Sequence, residues 1–593
     1  MLGTTAFGLY AVIAKVVFDA RPLLIDELVQ VIQARIFASG RLTLPAPANP
    51  EFYSILHMVD MGGRWYSQFP PGGPAMLMIG EVFGAVWLVG PACGALAVVA
   101  FWYLMQRIDD RATVVLGASL LFAFAPFMAF MAGSHMNSVP TLLFGVLALL
   151  AAAEWSRRED RGVWMAALLG LALGSMASVR PVDGAAYAAP IGLWMLWLTF
   201  RNPKRLPDLL AAGLGVAVPV GLVLYYNSRT TGDPFLFGYE LLWGKSHALG
   251  FHRAPWGFAH TPARGIELIN IYLLRLQSYL FESPVPSLLP ALGAMALGSR
   301  LTRVDRLLLW ASAFLLLGYF AYWHDGFYLG PRFLYPLMPV LALWSARFLA
   351  ELRRVSGNGS MVVRTAAFSL GTALIVGAVA SVPVRVKQYE GGLASMRLDY
   401  TAPARRDHVA NALIFVRESW GTQIVARLWA LGVPHTETEA LYRGVDSCVL
   451  EHAVTVVEHS SARDSVAMRK LIPLLRDSAS VVKTELSPDR TERMLPGAKY
   501  SPICVSRINE DRQGFTLLAP VLALDQGTNI YVRDLHARDS LLIARYPSRS
   551  LFLLRPVSNE IGAPLELKQM SRDSLVRAWQ LEAQTTDQPS VHP

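Results

Sequence analysis

Two adjacent acids and two distant arginines are the residues of this 593-residue chain best suited to chemistry. Asp26 and Glu27 follow Pro22 and precede Leu28, Val31, Ile32 and Ile36, with Gly40 beyond. That spacing predicts a short helix with one apolar side lying on a membrane surface and both acids in its first turn. A carboxylate there can take the proton of a hydroxyl as its oxygen attacks an electrophilic carbon. Helix capping and dipole pairing are the structural alternatives. Asp26 is the candidate base, and Glu27 the candidate helper toward the acceptor or a metal. Arg180 and Arg332 each adjoin a proline, with Asp183 near the first and Asp325 and Tyr328 near the second. A guanidinium fork suits a phosphate, and equally an Arg–Asp pair that ties two helix ends together.

Further polar residues fall into the same class of position. Ser134-His135-Met136-Asn137, the His-rich stretch 227–262 and Trp323-His324-Asp325 all stand between apolar runs. His135, His247, His252, His260 and His324 lack metal-ligand spacing of the H-E-x-x-H kind, so a divalent cation is an open alternative and not a signalled cofactor. Residues 63–74, with Tyr66, Gln68 and Pro70-Pro71-Gly72, form a rigid entry into a helix that either faces substrate or sits in the interfacial aromatic belt. Neither G-x-x-x-x-G-K-[ST] nor a strand-bound G-x-G-x-x-G occurs, so no nucleotide cofactor is indicated.

The elements that hold these residues are set by hydrophobicity. With 53% hydrophobic and 16% charged residues, the chain reads as a membrane protein. Residues 1–383 carry 27 Lys/Arg and 20 Asp/Glu, whereas the shorter 384–593 carries 26 and 24, so charge density doubles at that boundary. The expected architecture is an all-α polytopic bundle over 1–383 and a mixed α/β domain over 384–593. Eleven crossings are expected near 1–18, 75–106, 113–131, 139–153, 163–178, 183–199, 208–226, 284–298, 306–323, 333–350 and 364–383. Within 75–106, Pro91 predicts an interfacial helix feeding one crossing. The first run lacks a basic lead and a good cleavage site at Phe18-Asp19-Ala20, so it is expected to remain an anchored helix.

Basic turns at Arg201/Lys204/Arg205, Arg300/Arg303/Arg306 and Arg353/Arg354/Arg364 belong in the cytoplasm. The net charge of +9 is explained this way and does not call for nucleic acid. The N-terminus is then inside, and loop 19–74 and the tail lie outside the cytoplasmic membrane. Every candidate site residue falls on that outer face, where ionisable groups at membrane depth point to function. Asp109-Asp110 falls in a cytoplasmic turn and reads as solvated charge, with no polar cluster comparable to the outer one on that face.

The order of these segments carries a resemblance. Asp26-Glu27 after the first run, Tyr66-Ser67-Gln68-Phe69-Pro70-Pro71-Gly72, Gly133-Ser134-His135-Met136-Asn137, Arg180-Pro181, and Tyr322-Trp323-His324-Asp325-Gly326 through Gly330-Pro331-Arg332 resemble bacterial GT-C-type glycosyltransferases. These are relatives of the protein O-mannosyltransferases and of the aminoarabinose transferases of lipid A. The resemblance implies a polyprenyl-phosphate sugar donor, a lipid, glycan or protein acceptor, and a catalytic acid in the first outer loop. It implies Asp26 as that acid with Glu27 beside it, Arg180 and Arg332 on the phosphate, and Tyr66, Gln68, His135, Asn137, Asp183, His324, Asp325 and Tyr328 around the substrate. Gln68 stands where such enzymes often have Lys, which removes one cation and leaves Arg180, Arg332 or a divalent ion to balance the leaving group. The alternatives are a flippase or transporter of lipid-linked glycans, for which no internal repeat is visible, and an envelope assembly protein working through its tail.

In the tail, Ala412–Val416, Val454–Val457 and Asn529–Val532 read as strands and 463–476 and 571–583 as helices. Asp534 reads as a turn residue. Cys448 and Cys504 are expected to pair in an oxidising compartment.

Overall fold

A computed structural model describes the chain except residues 158–161, 255–258, 299–300, 325, 358, 391, 393–398, 461–464, 482–494, 496–498, 510–527, 559–562, 586–590 and 593. Asp325 and Arg300 therefore lie outside the described residues.

The chain opens with α1 (Leu2–Val12), which continues in a wider turn to Val17. The amphipathic α2 (Ile25–Ala38) follows, buries Val29, Ile32 and Ile36, and ends before Gly40, which has φ +75°. Strands β1 (Leu44–Pro45), β2 (Met58–Met61) and β3 (Arg64–Ser67) form a small antiparallel sheet with β3 central. Next come α3 (Gly72–Val82) and α4 (Val89–Ile108), separated by a break at 83–88, as expected of a surface helix feeding one crossing. Then follow α5 (Ala112–Phe124), α6 (Pro126–Ala132), α7 (Ser138–Ser156), α8 (Val163–Val179), α9 (Pro181–Arg201) and α10 (Leu206–Thr230). Helices α5 and α6 meet at 50°, where Pro126 removes a backbone donor. After α11 (Gly238–Trp243) and α12 (Pro262–Tyr279) come α13 (Leu289–Ala296), α14 (Arg303–Phe320), α15 (Met338–Ser356), α16 (Met361–Val376) and α17 (Val382–Tyr389).

Among the described residues, five helices are long and apolar enough to cross a membrane, or six when α5 and α6 count as one broken span. Helix α10 exposes Leu210, Leu214, Val218 and Leu222 at every fourth position, a lipid-facing stripe. Its other side meets α8 so closely that a Cβ on Gly170 would lie 2.0 Å from the Ala212 carbonyl oxygen.

Two expectations for the bundle are corrected. The segment 284–298 holds only the eight residues of α13, about 12 Å of helix, far short of a crossing. Asp109 is not solvated. It accepts from Arg347 at 2.9 Å and Arg111 at 2.8 Å, while Arg347 also reaches Asp305 at 2.8 Å and Arg111 reaches Glu351 at 2.9 Å. With Arg354 on Glu351 at 2.7 Å, three acids and three arginines, the acids buried, therefore tie together α4, α5, α14 and α15 at the end of the bundle away from loop 19–74, where no such cluster was expected.

The remainder comprises α18 (Ala402–Arg406), β4 (Ala412–Val416), α19 (Trp420–Ala430), α20 (His435–Gly444), α21 (Ser447–His459), α22 (Ser465–Ser478), β5 (Lys499–Tyr500), α23 (Pro502–Asn509), β6 (Ile530–Arg533), α24 (Ser540–Ile543), β7 (Ser550–Pro556), β8 (Leu565–Gln569), α25 (Arg572–Thr585) and β9 (Val591–His592). The main sheet has order β6-β4-β7-β8, with β4 parallel to both neighbours and β8 antiparallel to β7. Val454–Val457 is helical, inside α21, where Leu450, Val454 and Val457 bury one side at helical spacing. Cys448 and Cys504 are disulfide-bonded. Asp534 is buried and pairs with Arg417.

The tail and the first loop share a core. Phe52 packs with Leu413, Phe415 and Val532, and Leu56, Val59 and Tyr66 pack with Trp420 and Ile424. Arg533 donates to the carbonyls of Glu51 and Ser54 at 2.6 and 2.7 Å. Loop and tail therefore occupy one side of the bundle.

Candidate active site

Helix α2 positions the acids. Its first turn starts at Ile25 without a side-chain cap, so Asp26 is free to project outward. Glu27 turns inward: it is fully buried, and its Oε2 accepts the Leu23 N–H at 2.7 Å. His135 Nδ1 lies 4.0 Å from the same oxygen. Glu27 is thus absent from the cavity wall described below.

Asp26 forms part of the wall of a cavity of about 200 Å³. Arg332, from the turn before α15, donates to Asp26 Oδ2 at 2.8 Å, and His57 Nε2 lies 3.5 Å from Oδ1. Burial acts to raise the Asp26 carboxyl, but the Arg332 guanidinium and then His57 outweigh it and hold the acid below its ordinary range. Burial, resisted by the Leu23 N–H and reinforced by the charge of Asp26, pushes Glu27 up to about 8. Burial also lowers His57, against the pull of Asp26, and brings His135 down to about 4. At neutral pH the geometry therefore offers one ionised acid, Asp26, backed by a largely protonated one.

The opposite wall comes from the starts of α7 and α9 and the end of α14. Arg180 is committed on all three nitrogens: Nε to Asp183 at 2.9 Å, and its terminal nitrogens to Ser138 Oγ and Tyr319 Oη, each at 2.8 Å. Tyr319 donates in turn to Asp183 at 2.5 Å. Arg180 thus has the Arg–Asp pairing weighed above and still lines the cavity. Arg332 has only Asp26 as a charged partner among the described residues, so it is the cation placed to exchange partners.

Gln68, Asn137 and His324 also line the cavity. Tyr66 does not: it packs in the core shared by loop and tail. His135 lies behind the wall beside Glu27, Asp183 lies under Arg180, and Tyr328 packs tilted against Tyr389, ring centres 5.5 Å apart. Of the histidines in 227–262, His247 reaches the cavity.

The residue missed in the sequence is His57. A readable signal was nevertheless present, because Gly62-Gly63 marks a hairpin turn between two alternating runs. The register pairs Met58 with Ser67, which sets His57 across from Gln68. Gln33 of α2 accepts the Ser67 N–H at 2.8 Å and locks this hairpin to the helix that bears Asp26.

Among the described residues the donor set does not assemble a metal site. Both Asp26 oxygens face Arg332 or His57, Glu27 faces away, and among the described residues no three His, Cys, Asp or Glu side chains converge to hold a metal.

No protein-family profile matches the chain, and no curated protein matches it. Solved structures match it distantly. ArnT from Cupriavidus metallidurans in the apo state is 13% identical, with a TM-score of 0.45, 94% of this chain covered and 92% of that one. The same protein bound to undecaprenyl phosphate gives 13%, 0.44, 80% and 73%. Archaeal oligosaccharyltransferase AglB from Archaeoglobus fulgidus, in complex with an inhibitory peptide and a dolichol-phosphate, gives 13%, 0.39, 79% and 68%.

Proposed function

We propose that the protein transfers a sugar from a polyprenyl-phosphate carrier to an acceptor hydroxyl at the outer face of the cytoplasmic membrane, with inversion. The observation that carries this reading is the Asp26–Arg332 pair at 2.8 Å on the wall of one cavity. An ionised carboxylate and an exchangeable guanidinium stand together at the end of an apolar bundle, beside a helix suited to a membrane surface. The acceptor oxygen attacks the anomeric carbon, the bond from that carbon to the phosphate oxygen breaks, and the acceptor proton passes to Asp26. The polyprenyl phosphate leaves with one more negative charge than it had as a diester. Arg332 balances that charge by moving from Asp26 to the phosphate, which also makes Asp26 more basic as the donor arrives. Arg180, neutralised by Asp183, orients the phosphate as a hydrogen-bond donor.

A transporter needs a polar path through the bilayer. Between Asp305 and Tyr319 on α14 lies about 21 Å of helix, and its buried residues there, Leu307, Leu308, Ala311 and Leu315, are apolar. That layer supports an enzyme with its site on one face.

The test is mass spectrometry of envelope glycans and lipid-linked sugars. Cells lacking the chain should lose one glycan and accumulate its donor. Wild type should restore both and Asp26→Asn neither. An unchanged profile on deletion would remove the reading.

A further inference from the structure

The hydrogen bonds around His57 run in one sense. The Trp243 indole N–H can only donate, and it meets the Gln68 side-chain oxygen at 2.9 Å. That orients the amide, so its nitrogen is the atom 2.8 Å from His57 Nδ1. The amide nitrogen is also only a donor, so Nδ1 accepts and carries no proton. The ring proton of neutral His57 is therefore on Nε2, the atom facing Asp26 Oδ1 at 3.5 Å.

The surroundings hold this arrangement from every side. His57 has φ +70°, a region that residues with a Cβ avoid, and is kept there as its carbonyl accepts the Gln68 N–H at 2.9 Å. Helix α11 approaches so closely that a Cβ on Gly238 would lie 2.8 Å from Gln68 Cα, which lets Trp243 reach the amide. Trp243 is backed by His435 of the tail, 5.3 Å between rings, and His435 stacks on Trp429 at 4.0 Å.

We infer that His57 is a positioning residue for Asp26, held in one tautomer by Gln68 and Trp243. Its Nε2–H keeps the carboxylate aimed at the acceptor when the donor phosphate draws Arg332 away. Gln68 is thus the link between Trp243 and His57 in a chain from the tail to the base. The inference rests on Asp26 acting as that base.

The test uses the full chain in detergent, labelled with 15N-histidine. The chain has 12 histidines, and comparison with His57→Gln assigns the signals of His57. Wild type should show Nδ1 unprotonated and Nε2 protonated, and Gln68→Leu should show a mixture. A wild-type His57 ring protonated on Nδ1 would overturn the inference.

Activity supplies the second readout, as polyprenyl phosphate released from native membranes that lack the chain. His57→Ala should lower kcat about 10- to 100-fold, the scale of a misaimed catalytic group, with donor KM within about twofold. His57→Gln, which keeps an N–H, should recover part of the rate. Adding Gln68→Leu to His57→Ala should cost nothing more, because the link is already cut. Full kcat in His57→Ala, or multiplying losses in the double variant, would overturn the inference. Asp26→Asn separates the two claims. If it turns over normally the proposed function fails, whereas a silent Asp26→Asn beside a fully active His57→Ala sinks only the role of His57.

Discussion

Replacing Arg332 with Gln removes the one cation that both the resting acid and the departing phosphate use. Two unit charges 2.8 Å apart attract by roughly 6 kcal/mol at an effective dielectric near 20, before desolvation and side-chain entropy are subtracted. Part of that attraction holds Asp26 below its ordinary range. Two effects follow, and they are separable. Loss of a charge-stabilising donor to the leaving oxygen should lower kcat by about 10²- to 10³-fold. Freed from the guanidinium, Asp26 should titrate at higher pH, so the acid limb of the rate profile moves upward. Arg332→Lys should keep more of the pH profile than of the rate, because an ammonium retains charge without the fork. The assay is polyprenyl phosphate release from native membranes, followed from acid to mildly alkaline pH. An Arg332→Gln enzyme with unchanged acid limb and unchanged kcat would refute the shared-cation mechanism.

Other perturbations have signs that the structure fixes. Burial pushes the Glu27 carboxyl up to about 8 in the folded chain, above its ordinary 4.5. It therefore stabilises the fold at low pH, and that stability, on the order of a few kcal/mol, drains away as pH rises from about 4.5 to 8. Glu27→Gln should flatten the dependence of Tm over that window. Arg533→Ala should destabilise by about 3–5 kcal/mol, since it removes a fully buried guanidinium that pairs with Glu418 and donates to two loop carbonyls; chemical denaturation reads this. Reducing the Cys448–Cys504 bridge, sequence separation 56, should cost up to about 4 kcal/mol in the chain-entropy view, seen as a lower Tm with dithiothreitol. Deleting 384–593 should abolish turnover, because Phe52 and Leu56 lose the core they share with the tail.

What could be read from the sequence was what lies in contiguous pattern. Apolar runs located most of the long helices, and the apolar spacing after Asp26 gave α2 its length and buried side. The meeting of Asp26, Arg180 and Arg332 on one cavity was foreseeable because their loops share a face. Pairings across the chain were harder. Asp109 looked solvated because Arg347, which neutralises it, is 238 residues away. Helix α12 was missed because its uncharged stretch 268–274, bounded by Glu267 and Arg275, is too short to read as a crossing, although Leu268, Tyr272 and Leu276 are buried at the helical interval of four. Val454–Val457 misled as a β-branched run whose burial follows a helical period. His57 looked like any lone histidine until the hairpin register placed Gln68 across from it.

The most direct measurement is turnover by purified, folded Asp26→Asn with native membranes that lack the chain. The account predicts normal thermal stability and retained binding of polyprenyl phosphate, with polyprenyl phosphate release at background. Release near the wild-type rate would contradict it.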